Sequence, residues 1–487
     1  MTSTQTLAVM VVAVPLATAV LLGLVPVSRL RVVARVGAVA TSILALTLAG
    51  LAEHAAARPV AGRWIIIDAA GALLLAVVAV VGLASVLTSS SYLSSAGGSF
   101  VAEHRRDRVY YLVLLVFWAI LLAVPLAGNL GAAWLLIEAT TAASAMLVGF
   151  SGKAHALEAG WKYLILTSLG LGVALLGIAI LAAGDHSGGI DGLAWARLAT
   201  VEPGRSVVLT AYLLVMVGLA TKIGWAPVHN WLPDAHSEAP PPVSALLSAA
   251  LLPTVLLVAW RTEHALAPVL GIHAAQRVLI GFGLVSLAVA VPFLWRPMPF
   301  KRLLAYSSLE HLGVMALGIG FGTPLALTGV AVHIAGHAIA KSLGFYAATP
   351  LLSHEPRAAR HAVSGIGRTS PALGATIGIS LGALSGLPPS PLFVSEVLIL
   401  AGGVSSGRPW PAAIAAVLLA LGFLGLAHAG IDTIAGRPRR RRHSAPTGLR
   451  AVTVLAGASF VLLAGLAAAA PWLSGGSFVA ALVRGVP

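Results

Sequence analysis

The stretch LATKIGWAPVHNWLPDAHSEAPPPVSALLSAA, residues Leu219 to Ala250, decides how this chain is read. Lys222 stands inside an apolar run. The run breaks at Gly224 and Pro227, a polar and aromatic segment follows, and Pro240, Pro241 and Pro242 precede the return of hydrophobicity. An ionisable side chain inside a long apolar run is expensive, and a broken helix beside it is a common setting for an ion site. The rest of the chain is therefore read for scaffold and partners to this lysine.

Composition sets the class. Of 487 residues, 58% are apolar and 9% are charged, which excludes a soluble or disordered protein and implies a polytopic all-α membrane protein. With no cysteine, the chain can form no disulfide and can hold no thiolate-bound iron–sulfur cluster; no cofactor or metal is expected in it. The formal charge of +14 does not point to nucleic acid. It comes from 25 arginines and five lysines, and the arginines cluster in short gaps between apolar runs. The N-terminal segment lacks a basic leader and is expected to be a first span, not a cleaved signal.

Runs of about 18–25 apolar residues suffice to cross a bilayer core. Fourteen are expected, near 7–26, 34–52, 68–88, 109–127, 130–150, 160–183, 206–226, 241–260, 277–295, 302–320, 326–350, 371–400, 410–431 and 450–472. Gaps after odd-numbered spans hold nineteen basic residues and gaps after even-numbered spans hold seven. That bias places the odd gaps in the cytoplasm and both termini outside. The run from Arg439 to Arg442 is expected to anchor topology and meet lipid headgroups.

Three of the five lysines, Lys162, Lys222 and Lys341, fall inside these spans. A membrane lysine costs about 2.5–3.5 kcal/mol on the insertion scale, so this placement implies that the protein moves charge. Other ionisable residues join them. Glu138 lies near the centre of span five, and Glu158 and Lys162 are four apart in span six, where they are either an interfacial ion pair or part of a path. Span ten holds Glu310 and His311. Span eleven holds His333, His337 and Lys341, each four apart and so on one helix face. Span twelve breaks at SGLPPSPLFVSE and resumes with Glu396. The histidines suit hydrogen bonding between helices or proton relay, since their ordinary pKa lies near working pH. A lysine in a low dielectric holds its proton weakly unless a carboxylate is close. Movement of Glu138 relative to Lys222 would thus switch the lysine between holding and releasing a proton.

Spans four to eight (109–260) overlay on spans nine to thirteen (277–431) as two five-span units, the second inverted; 1–108 precedes them and 450–487 follows. The broken spans seven and twelve then fall at matching places, the best sequence pointer to an ion path.

These motifs resemble the antiporter-like proton channel family: membrane subunits of respiratory complex I, of multisubunit cation/proton antiporters and of membrane-bound hydrogenases. The resemblance rests on Glu138 in WLLIEATT, Lys222 in TKIGWAPVHNWLPDAHSEAP, SSLEHLG, the HxxxHAxxKSLxF pattern from His333 to Phe345, and GLPPSPLFVSE with Glu396. NLGAAWLLIEATTAASAMLVGF, LEAGWKYLIL and HSEAPPPVSALLSA look most like the F-type membrane subunit of hydrogenase-4 and formate hydrogenlyase complexes. The resemblance implies about fourteen helices in inverted repeats. It assigns Glu138 and Lys222 to a coupled switch, Lys341 and the histidines His311, His333 and His337 to a central relay, and Glu396 to a terminal proton-exchanging group. It also implies membrane partner subunits, peripheral subunits with nickel–iron or iron–sulfur centres, a bacterial or archaeal cell membrane, and no long lateral helix after span fourteen. Complex I members usually carry a lysine or histidine in span eight; the matching position here is Pro253, which has no proton to pass. The first half-channel would then connect through water or His236. Two other readings stand beside proton pumping: a cation/proton antiporter or inorganic-carbon uptake subunit, and a non-conducting membrane anchor.

Overall fold

In a bilayer core every backbone N–H and C=O must be paired within the protein, and the chain meets this almost wholly with α-helices. The computed structural model describes residues 3–54, 60–62, 64–95, 99, 101–102, 105–184, 192–200, 204–438 and 446–473. The expected anchor Arg439 to Arg442 lies outside them. Seven long helices come first: α1 (Ser3–Leu24), α2 (Leu30–His54), α3 (Ala69–Ser95), α4 (Arg106–Ala123), α5 (Leu130–Val148), α6 (Ala154–Ala183) and α7 (Arg205–Ile223). A short α8 (Leu232–Glu238) leads into α9 (Pro241–Leu270), then α10 (Ile272–Leu294), α11 (Phe300–Phe321) and α12 (Pro324–His354). Two half-length helices, α13 (Pro371–Leu384) and α14 (Pro391–Ser405), precede α15 (Pro409–Ala435) and α16 (Leu449–Leu473). A small antiparallel hairpin, β1 (Val60–Ala61) and β2 (Ile66–Ile67), pairs Val60 with Ile67 between α2 and α3.

The chain is a multi-pass membrane protein. By length and composition alone, twelve described helices qualify as crossings, not fourteen. The difference lies in α12, whose two internal histidines and lysine make it less apolar, and in α13 with α14, each too short alone.

Local chemistry ends the helices where the chain must turn. Asn129 caps α5 by accepting from the Ala132 N–H at 2.7 Å. Gly224 ends α7 with φ +82, and a Cβ there would stand 2.3 Å from Leu232 Cδ1, so this break needs glycine. Upstream, the backbones of α6 and α7 touch: a Cβ on Gly218 would meet the Ala174 nitrogen and the Gly170 oxygen at 2.5 Å. This close packing brings residues of α6 within reach of Lys222.

The most apolar windows of α9 and α11 are wholly buried, whereas those of α15 and α16 are 28% and 17% buried. The core is thus α9, α11 and α12, with α15 and α16 among the lipid-facing helices. Since an ionisable group in a span normally faces the bundle interior, these core helices are where chemistry is expected.

One buried ion pair ties the hairpin end of α3 to α9. Arg261 Nη2 lies 2.8 Å from Asp68 Oδ2, both side chains are inaccessible, and Asp68 Oδ1 also accepts from the Gly71 N–H at 2.5 Å. Removing one partner leaves the other charge buried alone, so Arg261→Met should cost about 3–5 kcal/mol. Adding Asp68→Asn should recover much of that loss. Thermal unfolding of the detergent-solubilised chain measures both; equal damage from the single and double variants would remove the ion pair as the cause.

Candidate functional site

Lys222 is fully buried at the end of α7. Its Nζ donates to Thr141 Oγ1 at 2.6 Å and to the Tyr163 hydroxyl at 2.5 Å. Glu138, on α5 one turn before Thr141, accepts at Oε1 from Ser168 Oγ at 2.6 Å, while Oε2 is buried without a protein partner. The two expected switch residues therefore share a neighbourhood but make no ion pair. Each meets hydroxyls of its own: Tyr163, on the lysine side, also bonds Ser144 Oγ at 2.7 Å, and Ser168 meets the carboxylate. These hydroxyl residues were missed in the sequence. Only the helical spacing of Thr141 from Glu138, three residues on the same face, signalled one of them.

Glu158 and Lys162 pair at 2.6 Å, and Lys162 also approaches Asp234 at 3.5 Å, which Arg302 meets at 3.2 Å. Lys162 is about half exposed, so this cluster belongs to the rim of the bundle and not to the buried row.

His236, on α8, is buried with neither ring nitrogen paired to protein. Its ring lies 6.2 Å from Trp231 and 5.6 Å from Phe345, and Trp231 in turn packs at 4.7 Å, tilted by 51°, against Tyr163. His236 is thus placed between the Lys222 group and α12, near enough to Lys341 and His337 for their charges to interact.

On α12, Lys341 is fully buried and donates to the Leu304 carbonyl at 2.9 Å and to Ser307 Oγ. Ser308, the next residue, bonds Ser248 of α9 at 2.8 Å. Pro253 lies just beyond a π turn, Leu247–Leu251, so the hydroxyl of Ser248 is what α9 presents beside the Lys341 site. His337 is buried, with both nitrogens unpaired and its ring 5.3 Å from His311. The contact that closes is across helices: His311 Nδ1 and His333 Nε2 are 3.1 Å apart, and His333 Nδ1 meets Ser395 Oγ at 2.8 Å.

Glu396 joins this end. Ligand atoms of its carboxylate, His311 and His333, one from each, lie within 4.8 Å of one another. Two imidazoles and a carboxylate could hold a divalent cation, although the bond between the imidazoles already engages one nitrogen of each. The Glu396 carboxylate packs against Gly386 in the break between α13 and α14, and Glu310 points at Gly422 of α15, where a Cβ would meet Glu310 Oε1 at 1.9 Å. The arrangement can carry protons among hydroxyl, ammonium, imidazole and carboxylate groups.

The sequence matches the family described as NADH:quinone oxidoreductase/Mrp antiporter, TM, over residues 127–422. A hydrogenase-4 component F homolog of Methylacidiphilum infernorum (isolate V4) is 34% identical over 321 residues, covering 63% of this chain and 67% of that protein. An NADH-quinone oxidoreductase subunit N of Desulforudis audaxviator (strain MP104C) is 31% identical over 361 residues, covering 71% of this chain and 68% of it. Among solved structures, a chain of the membrane-bound sulfane sulfur reductase, an archaeal respiratory membrane complex, superposes with a TM-score of 0.84 over 98% of this chain and 97% of that one, at 21% identity. The matched segment spans the broken α7–α8 pair, the histidine helices and Glu396, and by it the chain belongs to the NADH:quinone oxidoreductase/Mrp antiporter membrane family.

Proposed function

We propose that this chain is the proton-translocating membrane subunit of a hydrogenase-like or complex I-like respiratory complex in a bacterial or archaeal cell membrane. Redox chemistry, on this reading, belongs to peripheral partners with nickel–iron or iron–sulfur centres, and both termini lie on the outer side. The observation that carries the reading is the row that runs from half-buried Glu138 through the buried Lys222, His236, His337 and Lys341 to the buried His311 and His333 and half-buried Glu396. Such groups are costly in a membrane and are seldom placed there merely to hold helices together.

Glu138 and Lys222 each bond hydroxyls and not one another, so the switch works without direct contact. The lysine passes its proton along Tyr163 and Thr141, and the charge state of Glu138 sets how firmly it is held. His236 takes the place of a bridging residue on α9. The family relatives named for hydrogenase-4 component F and for NADH-quinone oxidoreductase subunit N support this assignment over a passive anchor.

The test is proton flux by the assembled complex in proteoliposomes. Lys222→Ala should bring coupled flux close to background with assembly intact. Tyr163→Phe keeps the ring against Trp231 but removes the hydroxyl, and should slow flux by about tenfold. Normal pumping by Lys222→Ala would overturn the proposal.

A further inference from the structure

A cavity of about 280 Å³ opens on the face to which the loops after α3, α5, α8, α10 and α12 project. Lys153, Ser237, Glu238, Ala239, Lys301 and Thr349 are among the residues around it. His236 is the residue before Ser237 in the chain. Lys301 sits at the start of α11, buried to 6% exposure, and its Nζ donates to the Ser237 carbonyl at 2.8 Å and to the Ala239 carbonyl. Those carbonyls are the C-terminal end of α8, the second piece of the broken span.

In transporters with broken helices, the carbonyls at such half-helix C-termini coordinate sodium. Here the same neighbourhood is rich in hard oxygen donors. Ser237 Oγ and Thr349 Oγ1 are both buried without a protein partner, Thr349 is 5% exposed, and the Glu238 carboxylate lines the same cavity. Oxygen donors of this kind suit hard cations, and the dipole at a helix C-terminus favours positive charge. Among the described residues, the Lys301 ammonium reaches these carbonyls, and it is covalently part of the chain.

We propose that Lys301 is a built-in cation filling an oxygen-lined, sodium-type site at the C-terminal end of α8, so that this mouth of the path passes protons and excludes sodium. The proposal deepens the proton-translocating reading above and rests on it for the direction of use. A proton crosses the cavity on water and the hydroxyls of Ser237 and Thr349 towards His236. A sodium ion would need the carbonyls that the Lys301 ammonium already holds. Lys301 acts as a selectivity residue and is not itself a carrier.

The experiment measures sodium binding by the full-length chain, purified with its partner subunits, using radioactive sodium and, in parallel, melting curves in sodium chloride against choline chloride. Wild type and Lys301→Arg should show no saturable binding and no sodium-specific stabilisation. Lys301→Ala and Lys301→Gln should bind at least about tenfold more sodium at saturation than wild type and melt higher in sodium chloride than in choline chloride. Adding Glu238→Gln to Lys301→Ala should weaken the gained binding. If Lys301 were only a helix cap, Lys301→Ala would melt equally low in both salts, and that result overturns the proposal; so does saturable sodium binding by wild type that Lys301→Ala leaves unchanged. Should Lys301→Ala fold poorly, recovery by sodium but not by choline is the supporting outcome and its absence the opposing one. Sodium binding is read without proton flux, so failure of wild type to pump would overturn the function above while leaving this test intact.

Discussion

Lys341→Ala should lower coupled proton flux by about a hundredfold or more while the complex still assembles. Lys341 is the ammonium of the buried row on α12, held only by the Leu304 carbonyl and the hydroxyl of Ser307. Neither partner carries a compensating charge, so the lysine can lose and regain its proton with little rearrangement. Alanine removes the carrier and leaves two weak polar groups, which hydrogen-bond locally, so assembly should survive. Lys341→Arg is expected to be nearly as inactive, because guanidinium does not release a proton under working conditions. Dye-monitored acidification of proteoliposomes separates the outcomes. Wild-type flux in Lys341→Ala would mean that the histidines and Glu396 are reached by another route.

His236→Leu should also cut flux, by about tenfold to a hundredfold, by parting the Lys222 group from Lys341. Leucine keeps apolar contact with Trp231 and Phe345 but offers no exchangeable proton. His236→Gln, which restores a hydrogen-bonding side chain without a titratable one, distinguishes a bridge that orders water from one that itself takes the proton. Partial recovery by glutamine favours ordering. Full flux in His236→Leu would move the bridge to Ser248 and Ser308, whose hydroxyls meet at 2.8 Å.

Much of the architecture was legible because bilayer thickness fixes run length, and because proline and glycine mark the two breaks. The ionisable row was legible for the same reason that it is costly: Lys222, Lys341 and Glu396 stand out in apolar surroundings. Its partners were not. Thr141, Ser144 and Ser307 bond carbonyls of their own helices, as Thr41 does to Gly37, so a serine or threonine in a span carries little signal. Lys301 escaped notice because it opens a helix and was counted among loop cations, although its ammonium is buried. The approach of Glu396 to His311 and His333 joins residues 63 or more positions apart, a tertiary fact that no local pattern states. Conversely, Lys162 drew attention by lying in an apolar run, yet packing puts its head at the rim with Glu158 and Asp234.

The wide turn at Leu247–Leu251 bears on how chains of this kind should be compared. A π turn accommodates one residue more than an α turn, so everything after it is rotated by about 100° relative to an uninterrupted helix. Counting residues from the proline triplet to Pro253 therefore gives the wrong azimuth. Two sequences that align without a gap can present different side chains to the same neighbour if only one carries the extra residue. Equivalence across this helix must be judged in space, and here the residue that faces Ser308 is Ser248, five residues before the proline.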